Sequence, residues 1–311
     1  MELIVVADPL EQLDATFDTT LALMRTAQQR GHRVRHCEAR HLSVVDGRPR
    51  AHLRGFGDDV EGWADLGDVD AVLFRTDPPV DARYLHAVHV LDLVDRRRTL
   101  VVNDPIGIRV ANEKLWCLRH ADLCPPTLVT ADPSAIQDFV AEHRRCVIKP
   151  IDGHAGRGVL RLDHDDDNRR SIVELATDRG QQCVVVQQWL DEVLEGNKRI
   201  FVHEGEAVAA VLRRPACGDF RIGLPSAVAE LTPRDEEICA RLAPELRSLG
   251  LFVVGLDVIG EHLIEVNVTS PGALHKADRL LGTELCHDVI DRLERATTHA
   301  SPDAHPDRRT P

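Results

Sequence analysis

The chain has 311 residues, of which 43% are hydrophobic and 29% are charged, a composition typical of a globular protein with two or three core-bearing units. Its formal net charge of −13 argues against a nucleic-acid or anionic-membrane partner, because both require a basic face. No apolar run approaches the roughly 20 residues of a membrane span, and the first residues lack the basic region of a signal peptide. The eight cysteines contain no C-x-x-C pair. We therefore expect a cytoplasmic protein with reduced thiols.

The first hundred residues alternate between predicted strands and predicted helices. Hydrophobic patterns predict strands at 2–7, 33–39, 70–79 and 99–104, and helices at 15–30 and 82–97. Gly31 is well placed to end the first helix. Because this alternation is typical of an open parallel sheet, residues 1–112 are predicted to form an α/β domain. A further helix is predicted over 109–122.

The second half mixes helices with antiparallel hairpins and is predicted to be an α+β domain over residues 113–298. A linker carries a short strand at 127–130 and a helix that begins at Asp132 or Ser134. The remaining predicted elements are a strand–turn–strand unit at 146–162, a helix at 168–180, a strand at 183–190, a hairpin at 197–214 that turns at Gly205, a helix at 235–250, a hairpin at 255–269 and a helix at 283–298. Residues 299–311 are predicted to be a disordered tail.

The last hairpin alternates apolar and polar residues, as expected where successive side chains point to opposite faces. Its predicted apolar face contains Leu256, Val258, Ile264, Val266 and Val268. A two-residue turn would pair Asp257 with Ile264. A three-residue turn instead pairs Asp257 with Glu265. In that register Ile259 faces Leu263 and the apolar face stays together, so we predict the three-residue turn.

This register places two carboxylates opposite each other, with Asn267 on the same face. Opposed carboxylates repel unless a positive charge lies between them, and no Lys or Arg is interleaved in the hairpin. Mg²⁺ takes oxygen ligands of this kind, usually one or two carboxylates together with substrate phosphates and water. We therefore predict a magnesium (or manganese) site at Asp257, Glu265 and Asn267; the alternative is a solvated outer face.

A glycine-rich segment, VIKPIDGHAGRGV, follows the first strand of the second domain. It places Lys149 at the strand end, followed by Gly153, Gly156 and Gly158. Glycines let main-chain N–H groups approach phosphate oxygens, and the lysine supplies charge. The segment matches neither the Walker loop nor the dinucleotide fingerprint, so a plain hairpin turn remains the alternative.

Further candidates are individually weak. Lys114 lies on the helix predicted at the domain junction, where a surface role is the alternative. Residues 187–190 end a strand whose main-chain groups suit an adenine. Lys198 and Arg199 lie on adjacent faces of a strand, and Arg221 lies in a loop. Guanidinium groups match carboxylate and phosphoryl oxygens in geometry.

Taken together, these segments resemble one family in order and spacing. The matching segments are VADPLEQLDATFDTTLALMRTAQQRGH, FRTDPPVD, VNDPIGIRVANEKL, TLVT, VIKPIDGHAG, NKRIFV, GLDVIG and EVNVTSP. They resemble the bacterial glutathione synthetase family of the ATP-grasp superfamily over roughly residues 1–297. The GLDVIG, EVNVTSP and FRTDPP segments are the most specific, and the glycine-rich segment is not.

The resemblance implies an α/β N-terminal domain followed by an ATP-grasp domain, with a lid subdomain at about 126–190. It implies an ADP-forming carboxylate–amine ligase that works through an acyl phosphate, with ATP between the two halves of the grasp. The implied ATP-binding residues are Lys114, Lys149, Gly153, Gly156, Gly158, Gln187, Gln188, Trp189, Leu190 and Lys198. The implied catalytic residues are Arg199 and Arg221, the implied metal ligands are Asp257, Glu265 and Asn267, and the implied substrate-binding residues are Thr19, Thr20, Arg75, Asp77, Thr269, Ser270, His275 and Lys276.

The chain departs from the family pattern mainly where the amine should bind. Asn197 replaces the usual acidic residue before Lys-Arg, IGLPSAVAE replaces a longer glycine-rich loop, and GALHKAD replaces a segment with Ile-Arg-Glu. Alternatives are therefore a ligase that uses a different amine and a non-catalytic nucleotide-binding regulator. A dinucleotide-binding oxidoreductase is a further alternative, against which the missing G-x-G-x-x-G counts. We expect small-molecule partners and a homo-oligomer.

Overall fold

The structure is a computed structural model that describes residues 1–58 and 60–300. The predicted disordered tail lies outside the described residues from position 301 onwards. Among the described residues, no helix is long and apolar enough to cross a membrane.

The N-terminal half is built on a seven-stranded sheet. Its strands are β1 (Glu2–Val6), β2 (Arg33–Cys37), β3 (Leu42–Val45), β4 (Arg48–Gly55), β5 (Glu61–Asp65), β6 (Ala71–Phe74) and β7 (Leu100–Val102), and its helices are α1 (Thr19–Gln29), α2 (Ala82–Asp92) and α3 (Pro105–Val110). The strand order is β3-β4-β2-β1-β6-β7, with β5 on β4. β1, β2, β6 and β7 run parallel, so the prediction of a parallel α/β sheet is confirmed. The antiparallel strands β3, β4 and β5 were not predicted from the sequence.

The predicted helix over 109–122 was wrong. α3 ends at Val110, and a separate 3₁₀ helix runs over Trp116–Leu123. Between them the side chain of Asn112 accepts the main-chain N–H groups of Lys114 and Leu115, at 3.1 and 3.2 Å. An Asn side chain that bonds nearby N–H groups competes with helix formation, so the chain turns here.

A four-stranded antiparallel sheet forms the middle of the chain. Its strands are β8 (Thr127–Thr130), β9 (Arg145–Pro150), β10 (Leu160–Asp163) and β11 (Val184–Gln188), in the order β10-β9-β11-β8, with helices α4 (Pro133–His143) and α5 (Arg169–Ala176). The Asp132 carboxylate accepts the Ser134 N–H at 2.8 Å and caps α4, which confirms the first of the two predicted helix starts.

The third sheet has five antiparallel strands. They are β12 (Asn197–His203), β13 (Glu206–Pro215), β14 (Ile222–Val228), β15 (Val253–Ile259) and β16 (His262–Asn267), in the order β14-β13-β12-β15-β16. The associated helices are α6 (Pro233–Ser248), α7 (Leu274–Leu281) and α8 (Leu285–Ala300). The predicted hairpin turn at Gly205 is confirmed, whereas α7 and β14 had not been predicted.

The pairing of Asp257 with Glu265 is confirmed, but the predicted turn was wrong. β15 and β16 are joined by a two-residue turn that pairs Ile259 with His262. A β-bulge at Ile264 then restores the pairing of the two carboxylates. As a result Leu263 packs in the core with Leu256 and Val258, and Ile264 joins Trp189 on the other face, so the predicted apolar face was wrong at this position.

The first and third sheets share one hydrophobic core. Leu3 and Met24 of the N-terminal half pack in the same cluster as Val253 and Val289 of the C-terminal half. The side chain of Asn103 reinforces this junction, because its amide group bonds the main chain of Val253 and neighbouring residues at 2.7–2.9 Å. The sheets are therefore held in a defined relative position.

Candidate active site

A cavity lies between the middle sheet and the third sheet, and most of the predicted nucleotide and metal residues line it. Its wall is formed by the end of β11, the glycine-rich turn between β9 and β10, and strands β12, β13, β15 and β16. The predicted residues on this wall are Lys114, Lys149, Gly153, Gly156, Gln187, Gln188, Trp189, Leu190, Arg199, Arg221, Asp257, Glu265 and Asn267.

One end of the cavity is apolar. Trp189 and Phe220 meet edge to face, with ring centroids 5.5 Å apart, and Ile259 and Ile264 pack in the same cluster. The bulge in β16 places Ile264 here. Apolar walls with polar main-chain groups at the rim suit a planar heterocycle.

Two lysines lie beside the glycine-rich turn. The Lys114 ammonium donates to the carbonyl oxygen of Ile151 at 3.1 Å and to that of Gly153. The Lys149 ammonium donates to the side-chain oxygen of Gln187. Desolvation lowers the pKa of Lys149, an effect that a neighbouring carboxylate opposes. Two cations beside backbone N–H groups suit phosphate oxygens.

The glycine-rich turn needs residues without side chains. Gly156 and Gly158 have φ angles of 70° and 72°, in the left-handed region that favours glycine. A Cβ on Gly156 would lie 3.4 Å from the Arg221 side chain, so this turn and the segment that carries Arg221 approach each other. Gly158 shapes the turn but does not line the cavity.

The Asp257 carboxylate is held by two arginines. It accepts from Arg199 Nε at 2.5 Å and Nη2 at 2.9 Å, and it pairs with Arg213 Nη2 at 2.7 Å. Burial acts to raise the pKa of Asp257, but the two guanidinium groups outweigh it and lower that pKa. The two guanidinium groups therefore compensate the negative charge of Asp257 within the protein.

Glu265 is in the opposite situation. Its carboxylate makes no hydrogen bond to any residue in the described part of the chain, and it faces the cavity. Desolvation, followed by repulsion from Asp257, raises the pKa of Glu265. The Asn267 amide nitrogen donates to the Gly255 carbonyl at 3.1 Å, which leaves its oxygen available.

These oxygens fit a divalent cation. The unpaired Glu265 carboxylate and the Asn267 oxygen would hold it, and Asp257 would join them by exchanging an arginine. Over residues 1–58 and 60–300, no group of three His, Cys, Asp or Glu side chains is arranged for a metal ion. The site thus resembles the sparse magnesium sites that rely on substrate phosphates and water for further ligands.

A second group of predicted residues joins the N-terminal domain to the segment after β16. The buried Arg75 guanidinium donates to Thr20 Oγ1 at 3.2 Å and to the Pro271 carbonyl at 3.1 Å. Thr19 Oγ1 accepts the Leu274 N–H at 3.2 Å. Desolvation lowers the pKa of Arg75. The predicted substrate-binding residues Thr19, Thr20 and Arg75 therefore lie in one cluster, and their polar groups are already paired.

Other predicted substrate residues are more loosely placed. Asp77 is exposed, and its N–H donates to the Asp8 carboxylate at 2.9 Å. The Lys276 ammonium lies 5.4 Å from the centroid of the Phe17 ring. Ser270 and His275 are half-buried near this segment.

Lys198 does not line the cavity. Its ammonium pairs with the fully buried Asp235 carboxylate, which also bonds the N–H and hydroxyl of Thr232 at the start of α6. Lys198 and Arg199 point to opposite faces of β12, and only Arg199 reaches the nucleotide side. The geometry therefore does not support the predicted contact between Lys198 and ATP.

Among the cavity residues that the sequence analysis did not predict, Arg213 and Glu113 matter most for the charges of the site. Arg213 pairs with Asn197 across the β12–β13 hairpin and shares its face with Arg199, but a bulge between Phe201 and Val202 sets this register, so the turn at Gly205 does not predict it. Glu113 adjoins Lys114 and lines the cavity, but its contacts involve strand β16, far away in the sequence.

The four-stranded and five-stranded antiparallel sheets enclose a cavity between them, with apolar, cationic and carboxylate walls. This arrangement is that of an ATP-grasp ligase. Family models agree: the prokaryotic glutathione synthetase N-terminal domain matches residues 1–109, and the prokaryotic glutathione synthetase ATP-grasp domain matches residues 113–282. The chain belongs to the prokaryotic glutathione synthetase family. It is an ATP-dependent, ADP-forming ligase that makes C–N bonds, and its family uses ATP with a divalent metal.

Individual relatives span nearly the whole chain. The glutathione synthetase of Nostoc sp. (strain PCC 7120) is 43% identical and covers 95% of this chain and 98% of its own. That of Xanthomonas campestris pv. campestris is 37% identical, with 96% and 99% covered. Among solved structures, the ATP-grasp ligase PsnB with minimal precursor, Mg and ADP has a TM-score of 0.65 at 19% identity, covering 95% of this chain and 98% of its own. The D-cycloserine synthetase DcsG has a TM-score of 0.66 at 17% identity, covering 94% and 99%. At these identities the two structures show the shared fold alone.

Proposed function

We propose that the chain joins γ-glutamylcysteine to glycine with ATP, giving glutathione, ADP and phosphate. The observation that carries this proposal is the cavity itself. It combines an apolar slot, two lysines beside the glycine-rich turn and an unpaired carboxylate, in a chain whose relatives over nearly its full length are named glutathione synthetase.

In the proposed reaction the cysteinyl carboxylate of the donor attacks the γ-phosphorus of ATP, and ADP leaves. The amine of glycine then attacks the acyl carbon, phosphate leaves, and the amine loses a proton to the surroundings. The base of ATP lies against Trp189 and Ile264, and its phosphates lie beside Lys114 and Lys149. A bound divalent cation, which we take to be Mg²⁺ or Mn²⁺, would neutralise charge on the phosphates.

The arginines supply positive charge where negative charge develops. Arg199 uses Nε and Nη2 on Asp257, while its Nη1 makes no hydrogen bond within the described residues. Arg221 is half-exposed and pairs with Asp219 at 2.6 Å beside the glycine-rich turn. We propose that both contact the transferring phosphoryl group or the tetrahedral carbon, where one well-placed donor contributes roughly 3–4 kcal/mol.

The donor peptide is proposed to lie between the cavity and the cluster of Arg75, Thr20 and Thr269. The acceptor is proposed to lie near the segment that contains His275 and Lys276. In this segment GALHKAD replaces the family's Ile-Arg-Glu. The Lys276 ammonium lies over the Phe17 ring, so we do not assign it to the carboxylate of a different acceptor.

The test is ADP release in a coupled assay, with γ-glutamylcysteine as donor and a panel of small amines and amino acids as acceptors. We expect glycine to give the highest kcat/KM and mass spectrometry to show glutathione. A different amine that outruns glycine would establish the alternative ligase, and absence of ADP release with γ-glutamylcysteine and every acceptor would contradict the proposed donor.

We also propose small-molecule partners and a homo-oligomer in the cytoplasm. The net charge of −13 and the eight free thiols support the absence of nucleic-acid partners and a reducing compartment. Val45 and Trp63 on the β3–β5 extension are 47% and 53% exposed, and these apolar side chains are available for self-association. Light scattering on the purified chain tests the oligomer.

A further inference from the structure

Glu113 is a cavity residue with no role in the proposed chemistry so far. It lies in the turn that Asn112 forms between α3 and the 3₁₀ helix, directly before Lys114. The same turn thus sends one side chain towards the glycine-rich segment and the other towards the strand that carries Glu265 and Asn267.

The contacts of Glu113 are concentrated on the free edge of β16. β16 pairs with β15 on one side only. On its other edge the main-chain oxygen of Glu113 accepts the Val266 N–H at 2.8 Å. Its Oε1 accepts the N–H groups of Val268 at 2.9 Å and Thr269 at 3.1 Å, and the Thr269 hydroxyl at 2.8 Å. One residue therefore satisfies four donors along this edge.

These contacts bracket the residues that would hold the cation. Val266 and Val268 lie on either side of Asn267, and Val266 directly follows Glu265. Both valines are fully buried, so their N–H groups have no water to replace Glu113. An unmatched buried N–H group is costly, so the edge would shift or fray if these acceptors were lost.

We propose that Glu113 is a positioning residue that holds the end of β16 in register with Lys114, and so sets the spacing between the cation-binding oxygens and the phosphate-binding lysines. The proposal rests on the proposed function of the same cavity. In this role the Glu113 side-chain oxygen acts as a hydrogen-bond acceptor. Its negative charge does not contact the cation or the nucleotide.

The experiment is calorimetric binding of MgADP, and of ADP in EDTA, to the full chain carrying Glu113→Ala or Glu113→Gln. We expect Glu113→Ala to weaken MgADP binding about 10-fold or more, since it removes the three buried hydrogen bonds that the Glu113 carboxylate accepts. Binding of ADP without metal should change far less. Glu113→Gln should stay close to wild type, because its amide oxygen accepts the same donors. Glu261→Gln, at the exposed turn of the same hairpin, is the matched control.

Hydrogen exchange supplies a second measurement on the free protein. The amides of Val268 and Thr269 should exchange faster in Glu113→Ala and stay protected in Glu113→Gln. If Glu113→Ala fails to fold, Thr269→Val removes one of the three side-chain bonds and should weaken MgADP binding about threefold. Unchanged MgADP binding in Glu113→Ala or in Thr269→Val, or a Glu113→Gln protein as weak as Glu113→Ala, would overturn the proposal. None of these readouts depends on which amine the enzyme accepts, so a wrong acceptor leaves this result standing.

Discussion

The proposed nucleotide side and the proposed donor side of this site differ in how two of their charged groups, Glu265 and Arg75, are paired. On the nucleotide side, Glu265 has no partner in the described chain, and the Lys149 ammonium bonds only one side chain. On the donor side, Arg75 is buried and already bonds Thr20 and Pro271. Groups left without protein partners are available to a ligand, whereas groups paired by the fold also stabilise it. Substitutions on the two sides should therefore separate into losses of activity and losses of stability.

The largest effect on activity is expected for Glu265→Gln. Removing this carboxylate should lower ADP release by about 10³-fold or more, the scale of losing one group that stabilises transition-state charge. Glu265 has a higher pKa in the folded protein than in the unfolded chain. Between the ordinary glutamate pKa and this raised value, the folded protein therefore binds more protons than the unfolded chain. Wild-type stability is therefore lost as pH rises through that window, and Glu265→Gln should be as stable as wild type, or more stable, at neutral pH.

Coupled ADP release and thermal unfolding without nucleotide or metal measure both quantities, with Glu261→Gln as the control. Near-normal turnover by a folded Glu265→Gln protein would remove Glu265 from the proposed metal site.

Lys149→Ala is the second test of the nucleotide side. Losing one phosphate-facing ammonium should weaken ATP binding about 10- to 100-fold, since charge-assisted hydrogen bonds are worth about 1.5–3 kcal/mol. Donor binding and stability should change little. Isothermal titration with ATP and with γ-glutamylcysteine measures the two affinities, and exposed Arg33→Ala provides a cation control outside the cavity. Unchanged ATP affinity would place Lys149 outside the site.

Arg75→Ala tests the donor side, where stability should fall together with activity. The substitution leaves the Thr20 hydroxyl and the Pro271 carbonyl without their buried donor, at a cost of about 1–3 kcal/mol. Denaturant unfolding measures the loss, and exposed Arg33→Ala should stay within about 0.5 kcal/mol of wild type. Full stability with reduced donor affinity would mean that Arg75 serves the ligand and not the fold.

The smallest effect on catalysis is expected for Lys198→Ala. The variant removes the cation beside buried Asp235 and should lower the free energy of unfolding by about 1–3 kcal/mol. The KM for ATP should remain that of wild type, because Lys198 lies on the opposite face of β12 from Arg199. A raised KM for ATP at unchanged stability would restore the original prediction that Lys198 binds the nucleotide.

Local patterns predicted much of this fold. Alternating strands and helices indicated the parallel N-terminal sheet, Asp132 marked the start of α4, and Gly205 marked the β12–β13 turn. The Asp257–Glu265 pairing was predicted with the wrong turn, because the strands are joined by a two-residue turn and a bulge at Ile264, which alternation does not reveal, restores the pairing. The helix predicted over 109–122 failed because one Asn side chain captures two N–H groups there.

The sequence by itself determined many of the elements, the family and nearly half of the residues that line the cavity, because periodicity, glycine positions and motif order act over short distances. Only the tertiary structure decided how charges are shared. In the folded chain Asp257 pairs with Arg199 and Arg213, whereas Glu265 has no partner among the described residues. Lys198 pairs with Asp235, and a bulge places Ile264 beside Trp189. Hydrogen bonds and ion pairs between distant segments depend on which strands become neighbours, and local sequence patterns do not carry that information.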